Sequence, residues 1–365
     1  MADNPDSGSD GRLRRALAAG QFVVTAEIGP PRGASTEPVR RKAALLRGWV
    51  DAVNITDNQG AAVRLSSLAG SVAALATGVE PIMQLTCRDR NRIALQSELL
   101  SAGAMGIPNV LLMTGDHPRF GDHADAMPVF DLDSLELLRV ASAMRDEGRL
   151  MSGRKLDPAP GWLIGAVENP SGPAESSAAR LGRKVAAGAQ FVQTQFVFDV
   201  DAFAGWMSRV RDLGLHQRCH ILAGVGPVLS LRALSHLQKN VPGVLIPSWV
   251  ADRLRSAGSE RIGEEGRKLC AETIGQLREI PGVAGVHVMA VAGESSIPGI
   301  LAQAGLTAGR GGEGGAAGGA AGANAAAGAN AAAGASGAAG ASASPAARAD
   351  APARASAAGD AANAH

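Results

Sequence analysis

Short apolar runs recur along the chain, separated by stretches in which apolar and polar positions alternate with helical spacing. Runs rich in Val, Ile, Leu and Ala occupy 22–28, 51–57, 81–87 and 109–115, and again 162–168, 191–198, 219–226 and 284–291. Each has the length and β-branched content of a buried strand. The intervening segments include EPVRRKAALLRGW (37–49), NRIALQSELLSAGAMG (91–106), ESSAARLGRKVAAG (175–188) and VDAFAGWMSRVRDLG (200–214), each amphipathic with a 3.6-residue period. Strand followed by helix, about eight times over residues 20–306, predicts an α/β fold of the (β/α)8 TIM barrel type, for which about 250 residues is typical. A doubly wound open sheet competes with it. That fold carries G-x-G-x-x-G after its first strand, and GPPRGAST (29–36) lacks the pattern. The interval 227–283 is longer than the others, with a LIPSWV segment at 245–250 and a further helix near 258–278. A barrel accommodates such an insertion.

The pattern stops at both ends. Residues 1–19, which open MADNPDSGSDGRLRR, are expected to be a disordered N-terminal segment. After Leu306 the chain is almost wholly Ala, Gly and Ser. Gly opposes the helix that Ala favours and no face could be buried, so 307–365 reads as an Ala/Gly-rich disordered tail, with transient helix as the alternative.

Composition then narrows the function. The chain has 365 residues, a net charge of +1 and 46% hydrophobic residues, which leaves no electrostatic footprint for nucleic acid or an anionic membrane surface. No apolar run nears the roughly 20 residues that span a bilayer, and the N-terminus lacks the apolar stretch of a signal peptide. Cys87, Cys219 and Cys270 are too few and too scattered for a disulfide framework or a metal knuckle, so a cytoplasmic protein is expected.

In a barrel the chemistry sits where strands end. Those positions hold Glu27, Thr56-Asp57-Asn58-Gln59, Gln84 with Thr86, Thr114-Gly115-Asp116, Glu168-Asn169, Gln193 with Gln195, and His287. The set is rich in amides and carboxylates and has no metal-ligand spacing and no Ser-His-Asp order. It suits an organic ligand with many heteroatoms. Glu27 ends an apolar run and precedes Pro30-Pro31. Desolvation at such a place favours a carboxyl that carries its proton, as a general acid must; a salt bridge to a neighbouring Arg is the other reading. Asp116 is a second acid at a strand end or a turn residue in GDHP. Gln193 and Gln195 share a strand face and either bind a ligand or fill the barrel mouth. Arg183-Lys184 would meet a phosphate or lie on a solvated helix face. His287 reads as a core histidine, and the cysteines as small core hydrophobes.

The segments VVTAEIGPPRG, VNITDNQ, QLTCRDRN, NVLLMTGDHP, GRKVAAGAQFVQTQFVFD, LAGVGPV and IPSW, in this order, resemble the methylenetetrahydrofolate reductase family over about residues 20–305. The resemblance implies a barrel enzyme that takes hydride from NAD(P)H onto FAD and reduces 5,10-methylenetetrahydrofolate to 5-methyltetrahydrofolate, within one-carbon metabolism and methionine biosynthesis. It implies Glu27 as the general acid and Asp116 beside flavin and folate. Gln195 would bind folate, and Thr56, Asp57, Gln59, Gln84, Thr114, Gly115, Arg183 and Lys184 would lie along the flavin and its phosphates. Folate and a nicotinamide nucleotide are the implied partners, with room for a homo-oligomer or an electron-donating subunit. The chain departs from the family at Gln84, where His is usual, at Thr114 before Gly-Asp, where Arg is usual, at Asp57, where an aromatic is usual, and near Gly293, where a folate-binding Arg is expected. The HVMA, TDNQ and MTGDHP motifs resemble a divergent branch of short bacterial reductases, whose members differ in flavin, donor or partner. Two alternatives accompany this reading: a catalytic subunit reduced by a partner protein, and a non-redox folate-binding barrel of the methyltransferase type.

Overall fold

Side chains on each predicted strand alternate between two apolar environments, and the fold follows from that alternation. Along VVTAEI, Val24, Ala26 and Ile28 face the helices, while Val23, Thr25 and Glu27 face inward. Eight such strands close a parallel barrel in sequence order: β1 Val23–Ile28, β2 Ala52–Ile55, β3 Pro81–Thr86, β4 Asn109–Met113, β5 Leu163–Glu168, β6 Phe191–Phe196, β7 His220–Val225 and β8 Val283–Val288. β8 pairs with β1, placing Thr25 beside His287 and closing the ring. This computed structural model describes residues 11–241, 243–290 and 293–310.

Helices cover the outside: α1 Arg12–Ala18, α2 Glu37–Leu46, α3 Ser67–Leu75, α4 Arg92–Ala104, α5 Ser134–Asp146, α6 Ala174–Ala186, α7 Val200–Asp212, α8 Leu231–Asn240, α9 Ser248–Ser256, α10 Gly258–Arg278 and α11 Ile297–Gln303. Their starts follow local chemistry. Asn91 caps α4, Asp133 and Glu136 form a capping box on α5, and Asp199 caps α7, each supplying an acceptor to the first turn. The long 227–283 interval folds as α8, α9 and α10, and its LIPSWV segment leads into α9. Among the described residues no helix is long and apolar enough to cross a membrane.

The barrel interior is layered. Its floor is apolar: Val23, Ala52, Ile82, Leu111, Leu163, Phe191 and Leu222 pack together. Gly165 makes room for the Phe191 ring, because a Cβ there would stand 2.2 Å from its Cζ. The expected disorder of residues 1–19 does not hold for 12–18. Leu13, Ala16 and Leu17 of α1 are buried against this floor, so the helix is stabilised by a surface that the tail of the sequence pattern does not reveal. The ordered body also runs past 306. Arg310 bridges to Gly48 through the backbone and donates to Phe22 O at 2.8 Å and to Asp51 at 3.0 Å. The rest of the expected tail, 311–365, lies outside the described residues.

Candidate active site

Above the floor the inward residues turn polar. Asn54 and Gln193 form a reciprocal amide pair (2.6 and 3.0 Å), and Gln193 Nε2 also donates to Thr25 Oγ1 at 3.1 Å. Thr25 Oγ1 lies 3.0 Å from His287 Nδ1. The Thr25 oxygen accepts from Gln193, and its hydroxyl has Val286 O at 3.5 Å as an acceptor. His287 Nε2 faces Glu27 Oε2 at 3.9 Å. His287 is therefore a satisfied buried histidine, and it also lines the site.

At the strand ends a cavity of about 530 Å3 opens, within the size range of small-molecule sites. Leu111, Met113, Met289 and Val167 give it apolar walls, while Glu27, Gln84, Gln195 and Asp116 present polar groups. Glu27 accepts a hydrogen bond from Gln59 Nε2 at 2.9 Å, and its side chain is 14% exposed. Its partners are an amide and a histidine, and the salt bridge to a neighbouring Arg is not realised. Asp116 and Thr114 are exposed on the rim. Asp116 lies just ahead of the short 3-10 turn Pro118–Phe120, which His117 caps. Gly115 adopts φ +88°, and a Cβ there would meet Thr86 Cβ at 2.9 Å, so this rim position requires glycine.

Other expected residues are placed differently. Asp57 is fully buried: Arg90 grips both carboxylate oxygens (2.8 and 3.1 Å), and Thr86 donates through its N–H and its hydroxyl. It fixes β2 to β3 instead of offering its charge to a ligand. Thr56 is buried beneath the rim with its Oγ1 unpartnered. Arg183 is exposed and outside the cavity lining. Lys184 does line it, and so does Arg180, four residues earlier on the same face of α6. Both cations are committed to Glu168, whose side chain is 1% exposed: Lys184 at 2.7 Å and Arg180 at 3.0 Å. The cavity lining holds four acids (Glu27, Asp57, Asp116 and Glu168) against three bases (Arg88, Arg180 and Lys184).

Sequence reasoning missed Arg180 and Arg88. Arg88 is buried, and its guanidinium bonds Asp89 (2.7 and 2.8 Å), Asn58 O (3.2 Å) and Asp116 O (3.3 Å), tying together the loops that carry Gln59 and Asp116. Helical spacing from Lys184 could have pointed to Arg180. Nothing in the sequence marks Arg88. Among the described residues no group of His, Cys, Asp or Glu could hold a metal ion. The three cysteines are buried, and burial pushes each thiol up to about 12, which leaves no nucleophile among them.

A closed parallel barrel with an apolar floor and an amide-rich cavity at its strand ends defines a barrel enzyme acting on an organic, heteroatom-rich ligand. A family model described as methylenetetrahydrofolate reductase matches residues 12–305, and the chain belongs to that family. A probable methylenetetrahydrofolate reductase (NADPH) of Caenorhabditis elegans is 25% identical over 306 residues, covering 81% of this chain and 44% of the relative. The 5,10-methylenetetrahydrofolate reductase of Escherichia coli is 27% identical, with 72% of this chain and 83% of the relative covered. The chain thus spans less than half of the C. elegans relative and most of the E. coli one. Among solved structures, a Clostridium thermocellum protein described as binding two copies of 5-methyl-5,6,7,8-tetrahydrofolic acid shares the fold at a TM-score of 0.56 and 13% identity, covering 78% of this chain and 97% of that one.

Proposed function

We propose that the chain reduces 5,10-methylenetetrahydrofolate to 5-methyltetrahydrofolate, with NAD(P)H as the source of hydride and Glu27 as the source of the proton. The observation that carries this reading is the setting of Glu27. Its carboxyl lines the cavity, is oriented by the Gln59 amide and has no Lys or Arg bonded to it, so it can exchange a proton with a bound ligand without breaking an ion pair to a fixed cation. Protonating the ring nitrogen of the substrate weakens its bond to the bridging carbon and leaves that carbon open to hydride. Gln59 orients the acid, and Thr25, held by Gln193, positions His287 beside it. Asp116 and Gln195, both lining the cavity, supply a carboxylate and an amide for the amino and carbonyl edge of a pterin.

The donor set fits FAD poorly. The planar flavin ring would find apolar walls and amides, but a tightly held dinucleotide needs uncommitted cations for its diphosphate. Arg180 and Lys184 are both bonded to the carboxylate of Glu168, and Arg88 to Asp89, so each of these three cations of the lining is already committed. A nicotinamide nucleotide that binds and leaves in each turnover tolerates a weaker site. The role of Glu27 is the same whether hydride comes from a flavin or directly from nicotinamide.

The purified protein, mixed anaerobically with 5,10-methylenetetrahydrofolate and either NADH or NADPH, is expected to oxidise nucleotide in step with 5-methyltetrahydrofolate formation. Its visible spectrum reports whether flavin takes part. Failure of both nucleotides to support folate reduction would overturn the reading.

A further inference from the structure

Glu27 and Gln59 also border a second, smaller chamber of about 160 Å3, which Gly29, Arg64, Ala290 and the Lys42–Glu294 pair complete. Lys42 comes from α2 and Glu294 from the 3-10 turn Glu294–Ser296 after β8, and the two meet at 2.5 Å. Glu294 is 8% exposed, while the Lys42 side chain is 27% exposed, so this pair joins the chamber to solvent. Arg64 donates one N–H to Pro30 O at 3.2 Å, and its buried Nε has no acceptor in the protein. Buried donors of this kind are ordinarily satisfied by water when protein supplies no partner. At about 30 Å3 per molecule, the chamber has room for several waters, with polar partners on most of its walls.

The proposed reduction consumes one proton per turnover. Hydride comes from the donor, the proton from Glu27, and Glu27 is left as a carboxylate. Substrate and donor seated in the main cavity would occupy the side from which solvent otherwise reaches Glu27. We propose that the small chamber is the route by which Glu27 is reprotonated, its water passing protons inward from the Lys42–Glu294 pair. This rests on the reading of Glu27 as the acid. Water bound at Glu27 gives it one proton and receives one from the next water, and solvent replaces that proton past the exposed Lys42, so charge and protons balance at each turnover. Glu27 is faced by His287 from β8, by Gln59 and Arg64 from the loop after β2, by Lys42 from α2 and by Glu294. Asp57, Asp116 and Arg88 share the main cavity with it. His287 leads away from solvent, because its Nδ1 meets Thr25, and Thr25 is bonded to the buried Gln193–Asn54 amide pair. Lys42 and Glu294 act through Glu27 and are positioning residues.

Two variants test the route. Lys42→Met combined with Glu294→Gln removes the charged gate while keeping it neutral. Gly29→Val narrows the chamber from a different wall: Gly29 has ordinary backbone geometry, and a Cβ there stands 3.7 Å from Gln59 Oε1 and 3.9 Å from Thr56 Oγ1, without a clash. Stopped-flow mixing with NADH and 5,10-methylenetetrahydrofolate should give a first turnover at the wild-type rate, because the route acts only after Glu27 has given its proton. Later turnovers should be at least about 10-fold slower, with a larger solvent deuterium isotope effect. Steady-state rates equal to wild type in both variants would overturn the route. Equal slowing of the first and later turnovers would overturn it too, because the chamber would then only hold Glu27 in place. A wild-type protein that does not reduce folate defeats the parent reading before any variant is made, so the two failures are distinguishable.

Discussion

The two ends of the barrel use their carboxylates in opposite ways. At the floor, Asp51 is held by Arg12 and Arg310 (both 3.0 Å) and by the Val24 N–H at 2.7 Å. Glu80 accepts from the Arg12 and Leu13 N–H groups at the start of α1 and from Asn109 Nδ2 at 2.7 Å. These acids are fully used in fastening α1 and the residues around Arg310 to the strands. At the mouth, Glu27 has one amide bond and a distant imidazole, and Asp116 stands exposed on the rim. The mouth also contains two acids of the floor kind: Asp57 clamped by Arg90, and Glu168 clamped by Lys184 and Arg180. A carboxylate near a strand end is therefore no sign of chemistry in itself. What separates Glu27 from the fastening acids is the charge of its partners.

The sharpest way to break this comparison is to remove an acid from each end. Asp51→Ala should lower the unfolding free energy by about 3 kcal/mol, toward the low end for a buried ion pair because both arginines reach water. Denaturant unfolding measures this, while the turnover of the folded fraction should stay at the wild-type value. Glu27→Gln should do the reverse. The midpoint of unfolding stays close to wild type, and folate reduction followed by stopped flow falls by at least about 10²-fold, or about 2.7 kcal/mol of barrel-assisted catalysis. A Glu27→Gln protein that reduces folate normally would mean the acid is misassigned.

A chain ending at 306 should be less stable than one ending at 310 by about 1–2 kcal/mol, the worth of the charged and backbone hydrogen bonds of Arg310. Calorimetry on the two truncations decides it, and equal stability would show that Arg310 is an ornament of the floor. Glu80 gives the smallest effect. Burial, outweighing three hydrogen bonds, raises its carboxyl above the usual 4.5. The folded protein then holds that proton more tightly than the unfolded chain does, so this group's contribution to stability falls as pH rises from 4.5 through the raised value. Glu80→Gln should flatten that slope in denaturant midpoints measured against pH; an unchanged slope would assign it to another group.

The period-two strands and 3.6-period helices made the barrel legible, because both patterns are local and each repeats along the chain. Glu27 was legible for the same reason, as an acid at the end of an apolar run. Legibility failed where the partner was remote in sequence. α1 looked unstructured because Leu13 and Leu17 pack on a floor drawn from seven strands. Arg183 was named and Arg180 missed because adjacency to Lys184 is visible in the sequence, while the direction of the helix face toward Glu168 is set by packing. Asp57 looked available until Arg90, 33 positions on, closed over it.

By itself the sequence determined the fold class, the order of the strands and which residues reach their C-terminal ends, since all three follow from local period and chain order. Only the tertiary structure decided which of the four mouth acids are clamped by an arginine or lysine. Ion pairs such as Asp57–Arg90 and Glu168–Lys184 form between elements that closure of the barrel brings together, and no local pattern encodes the charge of a neighbour across that gap.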